Sequence, residues 1–437
     1  MKAITSIVCA VVVAMGFTLA PAHAQEASID VGFNIPTAEQ VQRARDNRRS
    51  QALSERVARR VMSAFEMYEE DNVRGAIAEL NEAPARTDYD IAYVARFLGT
   101  MYASVENDPA AYPRAIENLQ KAVSSNMLSF SDHAQSLQLL GNLYLMTDQH
   151  QRAIDTLQSY LQFVGEWQPD VLIRMASAHM ELKNYMRVIP LAEKALKHMS
   201  EPNRNPYVLM IAANYEAGRI PQTLRVLERG VVALPGERAW WVQLGMMYML
   251  NEQFEEALAT MRIAYDAGYF RSSNDFRALV QLYANNSIPF YAAEIMVERI
   301  TSGDIETTHR NLATAARSYN SAREFVKSAE MYGRAVEHAE TASERREYHR
   351  LQGQALLLAQ RYREAAAPLR AAIDASERGA DNGRLYMSLA EAYFYSNQYR
   401  LAYQAANNAA RFDNTRRNAQ GWAQFIKDTA ERRGSSI

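Results

Sequence analysis

Seven histidines lie beyond the first two dozen residues: His133, His150, His179, His198, His309, His338 and His349. None stands with a second histidine at the helical spacing that lets two imidazoles share a metal ion. The carboxylate pairs Glu69-Glu70 and Glu255-Glu256 are adjacent in sequence and fall on faces predicted to be exposed. A general acid and base need convergent carboxylates in one pocket instead. There is no Gly-rich phosphate loop, no G-x-S-x-G elbow and no H-E-x-x-H helix. The sole cysteine is Cys9. These residues point away from an enzyme and from any cofactor or metal, and leave non-covalent recognition as the chemistry to explain.

Cys9 belongs to the opening stretch MKAITSIVCAVVVAMGFTLAPAHAQEA. Lys2 gives a positive start, an uncharged apolar run follows, and Ala22-His23-Ala24 places small residues two apart. That pattern is a secretory signal over residues 1–24, cleaved after Ala24. A membrane anchor fits less well, because Thr5, Ser6, Gly16 and Pro21 dilute the run. A lipoprotein signal fits poorly too, since the apolar run continues past Cys9. The expected product is cysteine-free, without disulfide or thiolate metal site, and its expected location is the periplasm. Losing one lysine and no acid moves the formal net charge from −2 to −3, which argues against nucleic acid as a partner.

What positions the remaining residues is a repeat. Gly141, Ala176, Ile211, Gly245, Val280, Ala316, Gly353 and Ala390 lie 35, 35, 34, 35, 36, 37 and 37 residues apart. Three residues after these anchors stand Tyr144, His179, Asn214, Tyr248, Tyr283, Tyr319, Leu356 and Tyr393. Nine after stand His150, Tyr185, Ile220, Phe254, Pro289, Phe325, Tyr362 and Tyr399. Twelve after come Ala153, Val188, Thr223, Ala257, Ala292, Ser328, Ala365 and Ala402, mostly small. His150 and His179 thus occupy columns that are usually aromatic, which reads as packing. Trp241, Leu244, Gly245 and Tyr248 share a helical face, a polar break Asn251-Glu252-Gln253 follows, and Phe254, Ala257, Met261 and Ala264 share the next. Each copy is therefore two antiparallel helices, with Gly245 and Ala257 letting their backbones approach. One pair cannot bury its apolar face alone, so the copies must stack.

These residues resemble the tetratricopeptide repeat family, above all in "WVQLGMMYMLNEQFEEALATMRIAY". "LQLLGNLYLMTDQHQRAIDTLQSYL" and "YMSLAEAYFYSNQYRLAYQAANNA" also match. Two weaker copies run through Ala64, Val73, Ala76 and Ala83, and through Leu98, Gly99, Tyr102, Ala115, Leu119 and Ala122. In the second, "SVENDPAAYP" carries a four-residue insertion. The fold expected is all-α, an α-solenoid of ten repeats over 57–415. Residues 25–56 form an arm and an Arg-rich helix, and 416–437 a capping helix with Trp422 and Phe425-Ile426 on one face. Thr37 and Gln40 give a capping-box signal for a helix over 37–60, which holds seven arginines against three acids. Its basic face suits an acidic partner or lipid phosphates; the plainer reading is solvation.

The resemblance implies a concave surface lined by the first helix of each pair. Positions there off the core columns include Leu145, Met146, Met180, Tyr215, Met246, Met249 and Leu250, an apolar, methionine-rich stretch suited to a docked peptide or helix. Arg277, Arg310, Arg317 and Arg350 add a basic sector for carboxylates. The same methionines read equally as inter-repeat core. The basic clamp of chaperone-tail-binding relatives is not evident. More diffusely, the exported, cysteine-free chain with "NVRGAIAEL" and "WAQFIKDTA" resembles periplasmic tetratricopeptide proteins that accompany TonB–ExbB–ExbD systems. That implies a non-catalytic adaptor of energised outer-membrane transport, typically of iron complexes, touching membrane only through partners or the 37–60 helix. The alternatives are an adaptor for polysaccharide export or outer-membrane assembly and, from another class, an envelope enzyme.

Overall fold

The computed structural model of the chain describes residues 29–48, 51–105, 108, 110–377 and 380–437, so the expected signal at 1–24 lies outside the described residues. Among the described residues there are 22 helices and no strand. None of these helices is long and apolar enough to cross a membrane. A short helix α1 (Ala38–Asn47) precedes four hairpins: α2 (Glu55–Glu69) with α3 (Val73–Asn81), α4 (Asp88–Ala103) with α5 (Ala111–Ser124), α6 (Phe130–Met146) with α7 (His150–Val164), and α8 (Pro169–Glu181) with α9 (Tyr185–His198). These make one compact unit, ending at Met199. The second unit begins at Ser200 with α10 (Arg204–Glu216) and α11 (Ile220–Ala233), then α12 (Arg238–Leu250) and α13 (Phe254–Asp266), and α14 (Ser273–Asn285) and α15 (Pro289–Ser302). It continues with α16 (His309–Ser321) and α17 (Phe325–Glu337), α18 (Ala342–Leu358) and α19 (Tyr362–Asp374), and α20 (Gly383–Tyr395) and α21 (Tyr399–Ala409), closing on α22 (Arg416–Arg432). Each unit is an all-α solenoid by itself, in which every hairpin packs on the next.

The repeat columns have distinct mechanical roles. Every anchor residue from Gly141 to Ala390 is buried. The residue nine places on opens each second helix: His150, Tyr185, Ile220, Phe254, Pro289, Phe325, Tyr362 and Tyr399. The turn between uses a column that residue identity conceals. Seven after the anchor, Asp148, Lys183, Gly218, Glu252, Ser287, Arg323, Gln360 and Asn397 all have left-handed backbone, with φ between 55° and 69°. The next amide then reaches back to the carbonyl in the tyrosine column, as Gln149 to Tyr144 at 2.8 Å and Gln398 to Tyr393 at 2.8 Å. This six-to-one bond is a Schellman closure, and it satisfies a carbonyl that the helix end leaves open.

Where the anchor is glycine, it receives a side chain rather than a bare backbone. A Cβ on Gly245 would sit 2.5 Å from Met261 Cγ, and one on Gly141 2.6 Å from Leu157 Cδ2. Gly353 stands in the same relation to Leu369 at 2.6 Å. The expected partner of Gly245, Ala257, is fully buried one turn earlier. Gly99 meets Leu119 at 2.6 Å, twenty residues on instead of sixteen, which is the four-residue insertion. The tyrosine column links successive hairpins. Tyr248 donates to Glu228 of α11 at 2.7 Å, Tyr319 donates to Glu294 of α15 at 2.7 Å, and Tyr283 accepts from Arg262 of α13 at 2.8 Å. Hydrogen bonds from Lys327 and Tyr319 hold the Glu294 carboxyl below its ordinary range.

The single helix expected over 37–60 is two. The Thr37–Gln40 capping box opens α1 as read, but α1 stops at Asn47 and α2 starts at Glu55 with Ser54 as its N-cap residue. The break is fixed by Asp90 on α4, which accepts the Ser54 amide at 3.0 Å; a helix running through 54 would need that amide for itself. At the other end, α22 buries Ala419, Ala423, Ile426 and Ala430. Trp422 and Phe425 bracket Phe394, at centroid distances of 5.6 and 5.4 Å. Phe425 stays 49% exposed, so Ile426 carries the contact and Phe425 only borders it.

Candidate protein-binding faces

On α2 the residues one place after and two places before the anchor Ala64 form an exposed face. In the first unit this face carries large apolar groups. Phe65 and Met62 follow and precede Ala64 on α2 and are 47% and 65% exposed. Phe65 stacks on Phe97 of α4 at 6.4 Å, and Phe97, Tyr93 and Tyr89 continue as a ladder at 6.5 and 6.0 Å. Ladder residues Phe97 and Tyr93 rest on the core beneath. Sequence reading missed this row, although Ala64 and Gly99 were visible as anchors: applying the same offsets to these two weaker copies finds Met62, Phe65 and Phe97.

The residues singled out in sequence divide. Met146, Tyr215 and Leu250 project, at 60%, 49% and 56% exposure. Leu145 is half-buried against the core around Leu140 and Tyr144. Met246 and Met249 are half-buried against the core around Phe276 and Leu279, so packing claims much of their surface. Met180 is half-buried as well. Of the four arginines, Arg350 is tied down by Glu347 and by Gln354 at 2.8 Å, which removes it from a free basic sector. Arg277, Arg310 and Arg317 are exposed. Arg317 donates to Thr314 Oγ1 at 2.9 Å and lines a cleft of about 600 Å³ with Gln281, Thr314 and Ser321. The structure therefore separates the apolar positions into an exposed set and a packed set. Among the described residues no three His, Cys, Asp or Glu side chains converge on a point that could hold a metal ion.

One histidine has a measurable consequence. His133 on α6 lies against Phe163 with ring centroids 4.7 Å apart, and its Nδ1 is buried without a partner. Burial, reinforced by the Arg48 charge, pushes its pKa from 6.5 down to about 4. The unfolded chain takes up this proton near pH 6.5, while the folded chain refuses it until about pH 4. Its contribution to stability is thus complete above 6.5 and declines as the pH falls towards 4. His133→Phe keeps the ring contact and is expected to flatten the urea-midpoint curve over that interval; an equally steep curve in the variant would exclude His133 as its source.

No protein-family model matches the chain, and no curated protein matches it by sequence. Among solved structures it is similar to a tetratricopeptide repeat protein from Parabacteroides merdae ATCC 43184, at 13% identity over 68% of this chain and 99% of that one, TM-score 0.34. It is also similar to MamA, at 14% identity over 40% of this chain and 91% of that one, TM-score 0.34. A third is the Naa15/Naa10 complex bound to HypK-THB, at 12% identity over 85% of this chain and 66% of that one, TM-score 0.45. The fold class is an all-α solenoid of stacked helix hairpins.

Proposed function

We propose that the chain is a non-catalytic scaffold that holds segments of other proteins against the first-helix faces of its hairpins. The observation that carries this reading is the apolar strip of the exposed Met62 and Phe65 and the half-buried Phe97 on which Phe65 stacks, with no covering element among the described residues. Surface strips of this kind are the usual seat of a docked helix or extended peptide. The support is pre-ordered, so the entropy lost on docking falls mainly on the incoming segment.

The more specific reading is a periplasmic adaptor of TonB-dependent, energised outer-membrane transport, with partners in a TonB–ExbB–ExbD type complex. Its support is the signal-like sequence pattern of residues 1–24 and the sequence resemblance. The test is to express the chain with a C-terminal tag in its own host, crosslink in living cells, and purify from solubilised envelopes. Enrichment of TonB, ExbB or ExbD over an unrelated periplasmic repeat protein supports this assignment. Recovery of a polysaccharide-export or outer-membrane-assembly machine without them removes it and leaves the scaffold.

A further inference from the structure

The segment from Val31 to Arg48 does not lead directly into the first hairpin; it lies across the third and fourth. Val31 and Val41 are buried, at 7% and 9% exposure. Phe33 meets Trp167 at 5.4 Å, and Gln162 Nε2 donates to the Asn34 carbonyl at 3.3 Å. Gly165, with φ of 69°, is the position the segment crosses: a Cβ there would sit 2.2 Å from Val41 Cγ2. So the segment is seated by burial and shape over several contacts.

Its seating brings two arginines to one place. The Arg45 guanidinium lies 4.8 Å from the centroid of Phe130, and that of Arg48 5.0 Å from the centroid of Phe163. A guanidinium over an aromatic face is held in position while its N–H edge stays available for a planar oxyanion. Both arginines border a cleft of about 500 Å³ that is also lined by Ser131, Gln135, Gln138 and Tyr160. Nη1 of Arg48 is buried with no partner. Burial alone pulls the Arg48 pKa below its ordinary value, with no neighbouring carboxylate to raise it. The nearby acids are engaged elsewhere. Asp132 is bound by Arg96 at 2.9 Å and accepts from Ser129 at 2.8 Å; Asp46 accepts from Gln42 at 3.0 Å, and Glu39 pairs with Arg43. The Gln135 carbonyl oxygen faces Arg96 at 2.8 Å, which leaves its amide nitrogen as a donor.

We infer that this cleft is an oxyanion site for the side-chain carboxylate of an acidic peptide, with Arg45 and Arg48 as its forked donors. A buried guanidinium nitrogen without an acceptor is a cost that a carboxylate removes. The apolar walls, Phe130, Ala134 and Tyr160, suit the methylenes that carry such a carboxylate. The site is separate from the exposed aromatic row, so it stands or falls without it.

The test uses the chain from residue 25 onward, titrated by calorimetry with a capped Gly-Glu-Glu-Gly peptide, its Gln-Gln analogue, and succinate. The expected result is millimolar or tighter binding of the acidic peptide, about −4 kcal/mol or better, and none of the Gln-Gln analogue. Arg45→Gln with Arg48→Gln should weaken binding at least tenfold, whereas Arg59→Gln on α2 should leave it unchanged. Because the glutamines also remove the ring contacts, the double lysine variant is the second arm. It keeps the charges, loses the forks, and should bind with an affinity between the other two. Binding indifferent to the glutamine pair, or no binding at 20-fold above about 1 mM, overturns the site. Succinate binding as tightly as the peptide overturns the peptide as ligand in favour of a free small anion.

Discussion

Leu157→Ala is expected to destabilise the first unit by about 2–5 kcal/mol, the range for deleting a buried leucine from a core that closes up only in part. Leu157 has no exposed surface and fills the space against Gly141, where a Cβ would lie 2.6 Å from Leu157 Cδ2 and 2.8 Å from Cγ. The informative variant is the pair. In the native background Gly141→Ala gains roughly 1 kcal/mol of helix propensity, but it drives a methyl into a fixed neighbour, an overpacking cost of about 1–3 kcal/mol. In the Leu157→Ala background that neighbour is gone. Gly141→Ala should then be stabilising by about 1 kcal/mol, with a coupling of about 0.5–3 kcal/mol between the sites. Urea unfolding of the four proteins measures this. If Gly141→Ala has the same effect in both backgrounds, the glycine column is not set by the side chain sixteen residues on.

That cycle bears on what the sequence makes legible. Columns whose side chains meet other side chains keep a restricted set of types, and they were readable: the small residues at Ala153, Ala257, Ala365 and Ala402 are all fully buried. The turn column was not readable. Lys183, Glu252, Arg323 and Gln360 share left-handed backbone, and their side chains have no common task. The strain, about 1–2 kcal/mol per residue, is offset by the Schellman closure, so composition records nothing of it. The division after Met199 was hidden for a related reason. Repeat spacing continues through Ala176 and Ile211 without a change of period, so the period does not mark it. The break between α1 and α2 depends on Asp90, some forty residues away from the segment it interrupts. The binding face fell between these cases. Met246, one place after Gly245, is apolar yet half-buried, while Phe65, one place after Ala64, is exposed in a copy whose match to the repeat is weaker.

Met62→Ala together with Phe65→Ala should cut the recovery of crosslinked partner by tenfold or more. A tenfold loss is about 1.4 kcal/mol, less than one aromatic anchor at the centre of an interface commonly supplies. The pair is chosen because its members are 65% and 47% exposed, so truncation should change stability by only about 0.5 kcal/mol each. Phe97 is left in place; it is partly buried on the core of the first hairpins, and removing it would mix unfolding with loss of binding. A photo-crosslinking amino acid at position 65 gives the complementary reading. It should trap the partner, while the same group at Gln151, exposed on the second helix of its hairpin, should not. Equal trapping at the two positions would show that the partner does not select the first-helix face, against the scaffold reading. Undiminished recovery from the double variant would mean that the aromatic row is surface without a partner, and the scaffold reading would lose the observation on which it rests.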